Sequence, residues 1–308
     1  MSALPYLDGE TLRELVPMAR AVQALQDALL AGLDPEDTPR RPVVEVPAGQ
    51  LLLMPAAWGR HVGIKVAGVA PANPSRGLPR IQGAYLLMDG ESLAPLAMMD
   101  GVALTSLRTP AVSALAVRHL AEPGASEMAV FGTGPQAWGH VEAFRAVRPV
   151  ERVSVIARDA AKARAFAARC AAEGLRADTV SDPGQADLIA CCTTARTPLF
   201  DGRLTRDDAT VVAVGSHEPD AREVDDDLVA RATVVVEARS AALAEAGDLI
   251  IPLRNGTITI GHLAGNLGEL VAGAVPRGPG PRLFKSVGMA WEDLVVAAAA
   301  YEAWMRVR

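Results

Sequence analysis

The chain has 308 residues, half of them hydrophobic, 21% charged and only 4% aromatic, with a formal net charge of −6. That length exceeds what one hydrophobic core usually spans, so two domains built from Ala, Val and Leu are expected, and the acidic balance argues against a nucleic-acid or membrane-surface partner. Three cysteines, two of them adjacent, make neither a disulfide framework nor a zinc pattern, so no metal site is expected; with no signal peptide or long apolar span, a cytoplasmic protein is expected.

Residues 9–16 read as a short helix interrupted by Pro17, and a second helix follows with Val22, Leu25 and Leu29 on one face. Strand-like runs come next: PVVEVP, QLLLMPA and HVGIKVAGVAP. A hairpin turned at Asp89-Gly90 completes a first hundred residues without a βαβ rhythm. LTSLRTPAVSALAVRHLA predicts a helix beginning near Pro110, with Val112, Leu115, Ala116 and Leu120 toward a core. Beyond it the rhythm is regular, with helices over 135–147, 159–172 and about 225–231. The strands between them are β-branched runs of the kind that parallel strands covered on both faces show. Residues 248–282 are Gly- and Pro-rich and read as irregular except for a helix near 266–272. Strand RLFKSVG and an Ala-rich helix over 290–305 close the chain.

Within this rhythm, the apolar run Met128–Phe131 meets Gly132-Thr133-Gly134-Pro135-Gln136-Ala137 and then a helical pattern. This is GxGxxA where a dinucleotide-binding turn requires it: Gly132 for the tight turn, Gly134 for close approach of a pyrophosphate, Ala137 for helix–strand packing. Pro135 suits a first helical turn, where no donor is needed. The choice between cofactors is usually made about 20 residues further on, at the end of the second strand. Ala157-Arg158 stands there with no acid for a ribose 2′-hydroxyl, while Asp159 reads as a helix cap. Arg158 could pair with a 2′-phosphate, so NADP(H) is favoured over NAD(H).

Four other charged residues invite a chemical role. Arg108 precedes the expected helix start at Thr109-Pro110, where guanidinium and helix dipole would together attract an anion; alternatively it ties down a loop. Lys65 interrupts the apolar run VGIKVAGV, and it either meets an anion or points to solvent. Arg41, ahead of a strand, reads alone as a solvated charge. Asp225 lies beyond strand TVVAV, at a strand end where ligands bind in open α/β sheets; plain N-capping is the competing reading.

Taken together, QLLLMPA, GIKVAGVAPANPSRGLP, LTSLRTPAVSALAVRHLA, VFGTGPQAWGH, GSHEPDAREVD and LFKSVGMAWED resemble the ornithine cyclodeaminase/μ-crystallin family over nearly the whole chain. The resemblance implies a Rossmann dinucleotide-binding domain, 113–290, and a mixed α/β substrate-binding and dimerisation domain made of 1–112 with 291–308. It implies Arg41, Lys65 and Arg108 as contacts to a substrate carboxylate. Asp225 and Lys65 are the catalytic residues it implies, with a homodimer as the assembly. The implied activity is an NAD(P)(H)-dependent oxidoreductase of ornithine cyclodeaminase type, acting at the Cα–N bond of a small amino acid or cyclic imino acid. A ketimine (pyrroline-2-carboxylate) reductase, an alanine-type dehydrogenase and a non-catalytic NADP(H)-binding protein of μ-crystallin type are the alternatives. One departure from the family is Arg80, where a small hydroxyl residue is usual after GLP. Were it to enter the pocket, it would suit a dicarboxylate, or a substrate with no side-chain amine.

Overall fold

The computed structural model describes residues 4–307. These form two compact units, 4–112 with 289–307 and 113–288. Unit one opens with β1 (Tyr6–Leu7), α1 (Gly9–Leu15) and α2 (Met18–Leu30). Asp8 caps α1 by accepting from the Thr11 N–H, and Pro17 separates the two helices. Then β2 (Val43–Val46), β3 (Gly49–Trp58), β4 (His61–Val69), β5 (Ile81–Asp89) and β6 (Pro95–Asp100) form an antiparallel meander, with β1 added in parallel at the β6 edge. Asp89 closes the β5–β6 turn by accepting from Glu91 and Ser92.

Next comes α3 (Gly101–Leu120), and here the structure corrects the sequence reading. The helix starts at Gly101, not near Pro110, because the Asp100 carboxylate caps it by accepting from Val102 and Ala103. Pro110 lies inside the helix, so Arg108 is an interior helical residue and no helix N-terminus stands beside it.

Unit two is built on β7 (Glu127–Phe131), α4 (Pro135–Arg145), β8 (Arg152–Ile156), α5 (Ala160–Ala172) and β9 (Arg176–Thr179). The chain then crosses to the other side of β7 for β10 (Leu188–Cys191) and β11 (Thr210–Ala213), followed by α6 (Asp226–Arg231) and β12 (Thr233–Val236). After α7 (Arg239–Glu245) and α8 (Gly247–Asn255) come β13 (Leu263–Asn266), α9 (Leu267–Val271) and β14 (Arg282–Lys285). All eight strands are parallel, in the order β13-β12-β14-β11-β10-β7-β8-β9. This is a doubly wound Rossmann sheet whose order reverses between β7 and β10, the crevice where such folds take their ligands. Its strands are buried throughout the centre, with Val211, Val234 and Val236 in one core. Helices α7 and α8 were not expected from the sequence; in α8 Pro252 lies inside, Gly247 begins the helix and Gly256 ends it, a composition that masks a helix.

The chain returns to unit one with α10 (Ala290–Arg306), which packs on β3, β4 and α2. The sheet turns Met54, Lys65, Tyr85 and Met99 inward and leaves its other face apolar. On that outer face Pro55, Ile64, Leu86 and Met98 align across four strands, with Val66 and Met98 each 39% exposed. Among the described residues no helix is long and apolar enough to cross a membrane.

One side chain ties the start of unit two together. Arg148 donates to the carbonyls of Val117, Arg118, Ala121 and Glu122, closing the C-terminal end of α3. Arg148→Met keeps the stem but removes these charge-assisted bonds. It is expected to cost about 1.5–3 kcal/mol of stability in denaturant titration; an unchanged midpoint would show that water replaces the cap.

Candidate active site

The glycine turn sits where the strand order reverses. Gly132, at φ +108, adopts a left-handed conformation, and a Cβ there would fall 2.7 Å from the Cys192 carbonyl at the end of β10. Glycine is therefore required for β7 and β10 to approach. Gly134 is the N-cap of α4, has no side-chain cap, and a Cβ on it would meet nothing within 4 Å. Open space thus lies before a helix N-terminus with uncapped donors, which fits a dinucleotide pyrophosphate. Thr133, Pro135 and Gln136 complete this turn, and Ala137 is buried against the sheet. Further along α4, buried His140 accepts or donates at Nε2 to Ser113 Oγ (2.8 Å) and at Nδ1 to Gln136 O (2.7 Å). Burial pushes its pKa down to about 4, so the ring is neutral: Nδ1–H donates to the carbonyl and Nε2 accepts from the hydroxyl. At the end of β8, Arg158 is exposed, and Asp159 caps α5 by accepting from Ala161 and Lys162.

Carboxylates buried under the crevice hold its loops. Glu223 accepts from Thr193 N and Oγ1 (2.7 and 2.8 Å) with one oxygen and from Gly215 N (2.7 Å) with the other, joining the loops after β10 and β11. Asp248 in turn accepts from the Glu223 and Val224 amides, and its second oxygen lies 3.0 Å from Lys285 Nζ. Lys285 also donates to Ser216 O at 2.6 Å. Burial holds the Glu223 carboxyl above its usual range, with Lys285 opposing. Beside β12, Glu237 accepts from Ser286 Oγ and the amides of Val287 and Gly288. None of these acids was singled out in the sequence. The available signal is a charge in or at the end of an apolar run, as with Glu237 in TVVVEA and its neighbour Lys285 in RLFKSVG.

Asp225 occupies the capping position. One oxygen accepts from Leu228 N at 2.9 Å and the other from Gly202 N at 2.8 Å, so both are committed to backbone amides. In this geometry the carboxylate joins α6 to the loop at Gly202. His217, on the loop after β11, is half-buried.

In unit one, Lys65 and Arg108 come together. Alternation along β4 turns Lys65 inward beside Tyr85 and Met54, where it is 2% exposed. Its Nζ lies 2.8 Å from Asp293 Oδ1 and 2.7 Å from Oδ2. Arg108 Nε donates to the same Asp293 Oδ1 at 3.2 Å, and its Nη1 to Glu292 Oε2 at 2.7 Å. Burial and the Arg108 guanidinium pull the Lys65 pKa down to about 8, while Asp293 and Glu292 hold it up. Burial, with Asp293 adding to it, pushes the Tyr85 hydroxyl well above its usual range. Arg41 lies just ahead of the edge strand β2 and is half-buried. Arg80 is exposed on the loop before β5.

A doubly wound sheet with a glycine-lined crevice, joined in one chain to a sheet carrying paired buried cations, defines a two-unit dinucleotide-binding protein. The chain belongs to the ornithine cyclodeaminase/mu-crystallin family, whose model matches residues 11–307. It is 37% identical over 262 residues to a Delta(1)-pyrroline-2-carboxylate reductase of Bacillus cereus, covering 82% of this chain and 80% of that protein. The structure of Thermococcus litoralis Delta(1)-pyrroline-2-carboxylate reductase in complex with NADH and L-proline is similar at a TM-score of 0.93 and 32% identity, covering 99% of this chain and 98% of that one. An archaeal alanine dehydrogenase dimer with bound NAD is similar at a TM-score of 0.92 and 27% identity, covering 99% and 97%.

The cap geometry makes a direct forecast for Asp225. Asn caps helices about as well as Asp, but its amide group would face one of the two N–H donors. Asp225→Asn is expected to lower stability by about 1 kcal/mol and to leave kcat nearly unchanged. A fall of about 10²–10⁴ in kcat would instead make Asp225 a proton-transfer group.

Proposed function

We propose that this protein is an NAD(P)H-dependent reductase of cyclic imino acids, with Δ1-pyrroline-2-carboxylate or a close ring homologue as substrate. The observation that carries the reading is the pair Lys65 and Arg108, two buried cations held together on one carboxylate. An ammonium and a guanidinium so arranged suit the α-carboxylate of a small imino acid. Arg41 is assigned to the same carboxylate on the resemblance alone. The identity to a pyrroline-2-carboxylate reductase, and the likeness to one holding NADH and proline, support the same substrate class.

The turn Gly132–Ala137 at the N-terminus of α4 would hold the dinucleotide, which would supply the hydride. The chain's own work is to fix the substrate carboxylate, so that orientation of the C=N carbon is set before reaction. Reduction also consumes a proton at the ring nitrogen. Lys65, at about 8, is an acid matched to neutral pH. Whether as clamp or as donor, Lys65 acts while protonated. NADPH is the favoured donor, since Arg158 is exposed at the end of β8 and the neighbouring Asp159 carboxylate is taken up by capping. The likeness to an alanine dehydrogenase supports a second reading, reductive amination of pyruvate on the same residues.

The outer face of the unit-one sheet supports a homodimer. A row such as Pro55, Ile64, Leu86 and Met98, partly exposed in one chain, suits a second copy of the same face, and the similar archaeal enzyme is a dimer.

Following NADPH and NADH oxidation with Δ1-pyrroline-2-carboxylate, Δ1-piperideine-2-carboxylate and pyruvate plus ammonia tests the substrate class. Turnover of a cyclic imine is expected to exceed that of pyruvate plus ammonia, with no ammonia released from ornithine. Ammonia release from ornithine at a comparable rate would make the protein a cyclodeaminase, and cofactor binding without any turnover would make it a binding protein. In the same assay Arg158→Ala should raise the KM for NADPH and leave that for NADH nearly unchanged; equal effects would remove Arg158 from the cofactor site. For the assembly, Ile64→Glu is expected to convert a dimer to a monomer in light scattering after size exclusion. A dimer that survives the substitution would place the interface elsewhere.

A further inference from the structure

The clamp residues do not hold themselves in place. Asp293 is fully buried in the first turn of α10, and its carboxylate receives Lys65 Nζ at 2.8 and 2.7 Å and Arg108 Nε at 3.2 Å. Thr105 supports the arrangement from α3: its hydroxyl donates to Gly101 O (2.7 Å), which turns a lone pair toward Lys65 Nζ at 3.2 Å. Asp293 and Thr105 thus take two of the three N–H groups of the ammonium. Glu292, the residue before Asp293, fixes the Arg108 guanidinium through Nη1. Two cations and two anions, all nearly excluded from water, make a cluster of zero net charge.

We propose that Asp293 is a positioning residue for the reaction: by sharing one carboxylate between Lys65 and Arg108, it keeps Lys65 protonated and sets the angle at which the two cations meet the substrate carboxylate. This rests on the reading of Lys65 and Arg108 as the carboxylate clamp. The charged and titratable groups facing Lys65 are Arg108 on α3, Asp293 and Glu292 on α10, and the Tyr85 hydroxyl on β5. The two carboxylates alone favour its charged form. With the Asp293 charge removed, two cations would share the single carboxylate of Glu292. An arginine does not give up its proton in a protein, so Lys65 is the group that must.

The test is the pH dependence of kcat/KM for Δ1-pyrroline-2-carboxylate with saturating NADPH. Activity is expected to fall as pH rises through the Lys65 pKa of about 8, because the protonated form is the working one. Lys65→Arg cannot deprotonate and should lose this alkaline limb. Asp293→Asn should move the limb about one to three pH units toward acid. At neutral pH it should lower kcat/KM roughly ten- to two-hundredfold. A purely structural carboxylate would lower thermal stability without moving the limb, so an unmoved limb in folded Asp293→Asn overturns the proposal. If Asp293→Asn does not fold, Asp293→Glu decides: it retains the charge and should keep the limb in place, but with a lower kcat/KM because the shared geometry is lost. Wild-type kcat/KM in Asp293→Glu would overturn the positioning role. An alkaline limb that persists in Lys65→Arg would instead remove Lys65 from the clamp, a failure of the underlying reading that the other arms do not imitate.

Discussion

An ammonium group inside an apolar sheet is stable only where an anion meets it, and unit one is organised around that requirement at Lys65. The residue lies in the middle of β4, between Met54 and Tyr85, and is nearly excluded from water. Left unpaired there, its charge would cost on the order of 3–5 kcal/mol. The carboxylate that answers it, Asp293, comes from the far end of the chain on α10. This gives a physical reason for the chain, which leaves unit one within α3, to return to it with its last helix. The ion cluster adds little net stability over a well-packed apolar core, since desolvation offsets most of the attraction. What it does provide is a fixed pair of cations, which an apolar core could not.

The same device recurs in unit two with the signs reversed. There buried carboxylates, Glu223, Asp248 and Glu237, are satisfied mainly by backbone amides of the loops that follow β10, β11 and β14. A loop at the end of a parallel strand has lost its ladder partners, and its N–H groups must find acceptors. Side-chain oxygens placed beneath such loops satisfy them and also limit how far they move. The glycines of the crevice belong to this arrangement: Gly132 admits the Cys192 carbonyl, and Gly215 packs against the Thr193 carbonyl and the Glu223 carboxylate. Close backbone packing on one side of the crevice leaves open space on the other, at Gly134.

What could be read from the amino-acid order was whatever depends on neighbours along the chain. The β-branched runs of unit two, the strand-like runs of unit one without a βαβ rhythm and the glycine turn at Gly132–Ala137 are local patterns, and they indicated a Rossmann sheet joined to a different kind of domain. The Asp159 cap and the oddity of Lys65 in an apolar strand were legible for the same reason. Tertiary structure decided what depends on partners distant in sequence. Lys65 could have faced water or an anion until β4 paired with β3 and β5 and α10 closed over it. Arg108 was misplaced at a helix start because proline is a strong local signal, and it was overridden by the Asp100 cap and the packing of α3. Asp225 fits either a cap or an acid from its spacing alone; only the approach of Gly202 showed both its oxygens engaged. Local sequence sets which elements form, because backbone preference and side-chain periodicity act over a few residues. The state and direction of a buried charge are set by what lies across the fold from it, and that is fixed only when the chain has closed.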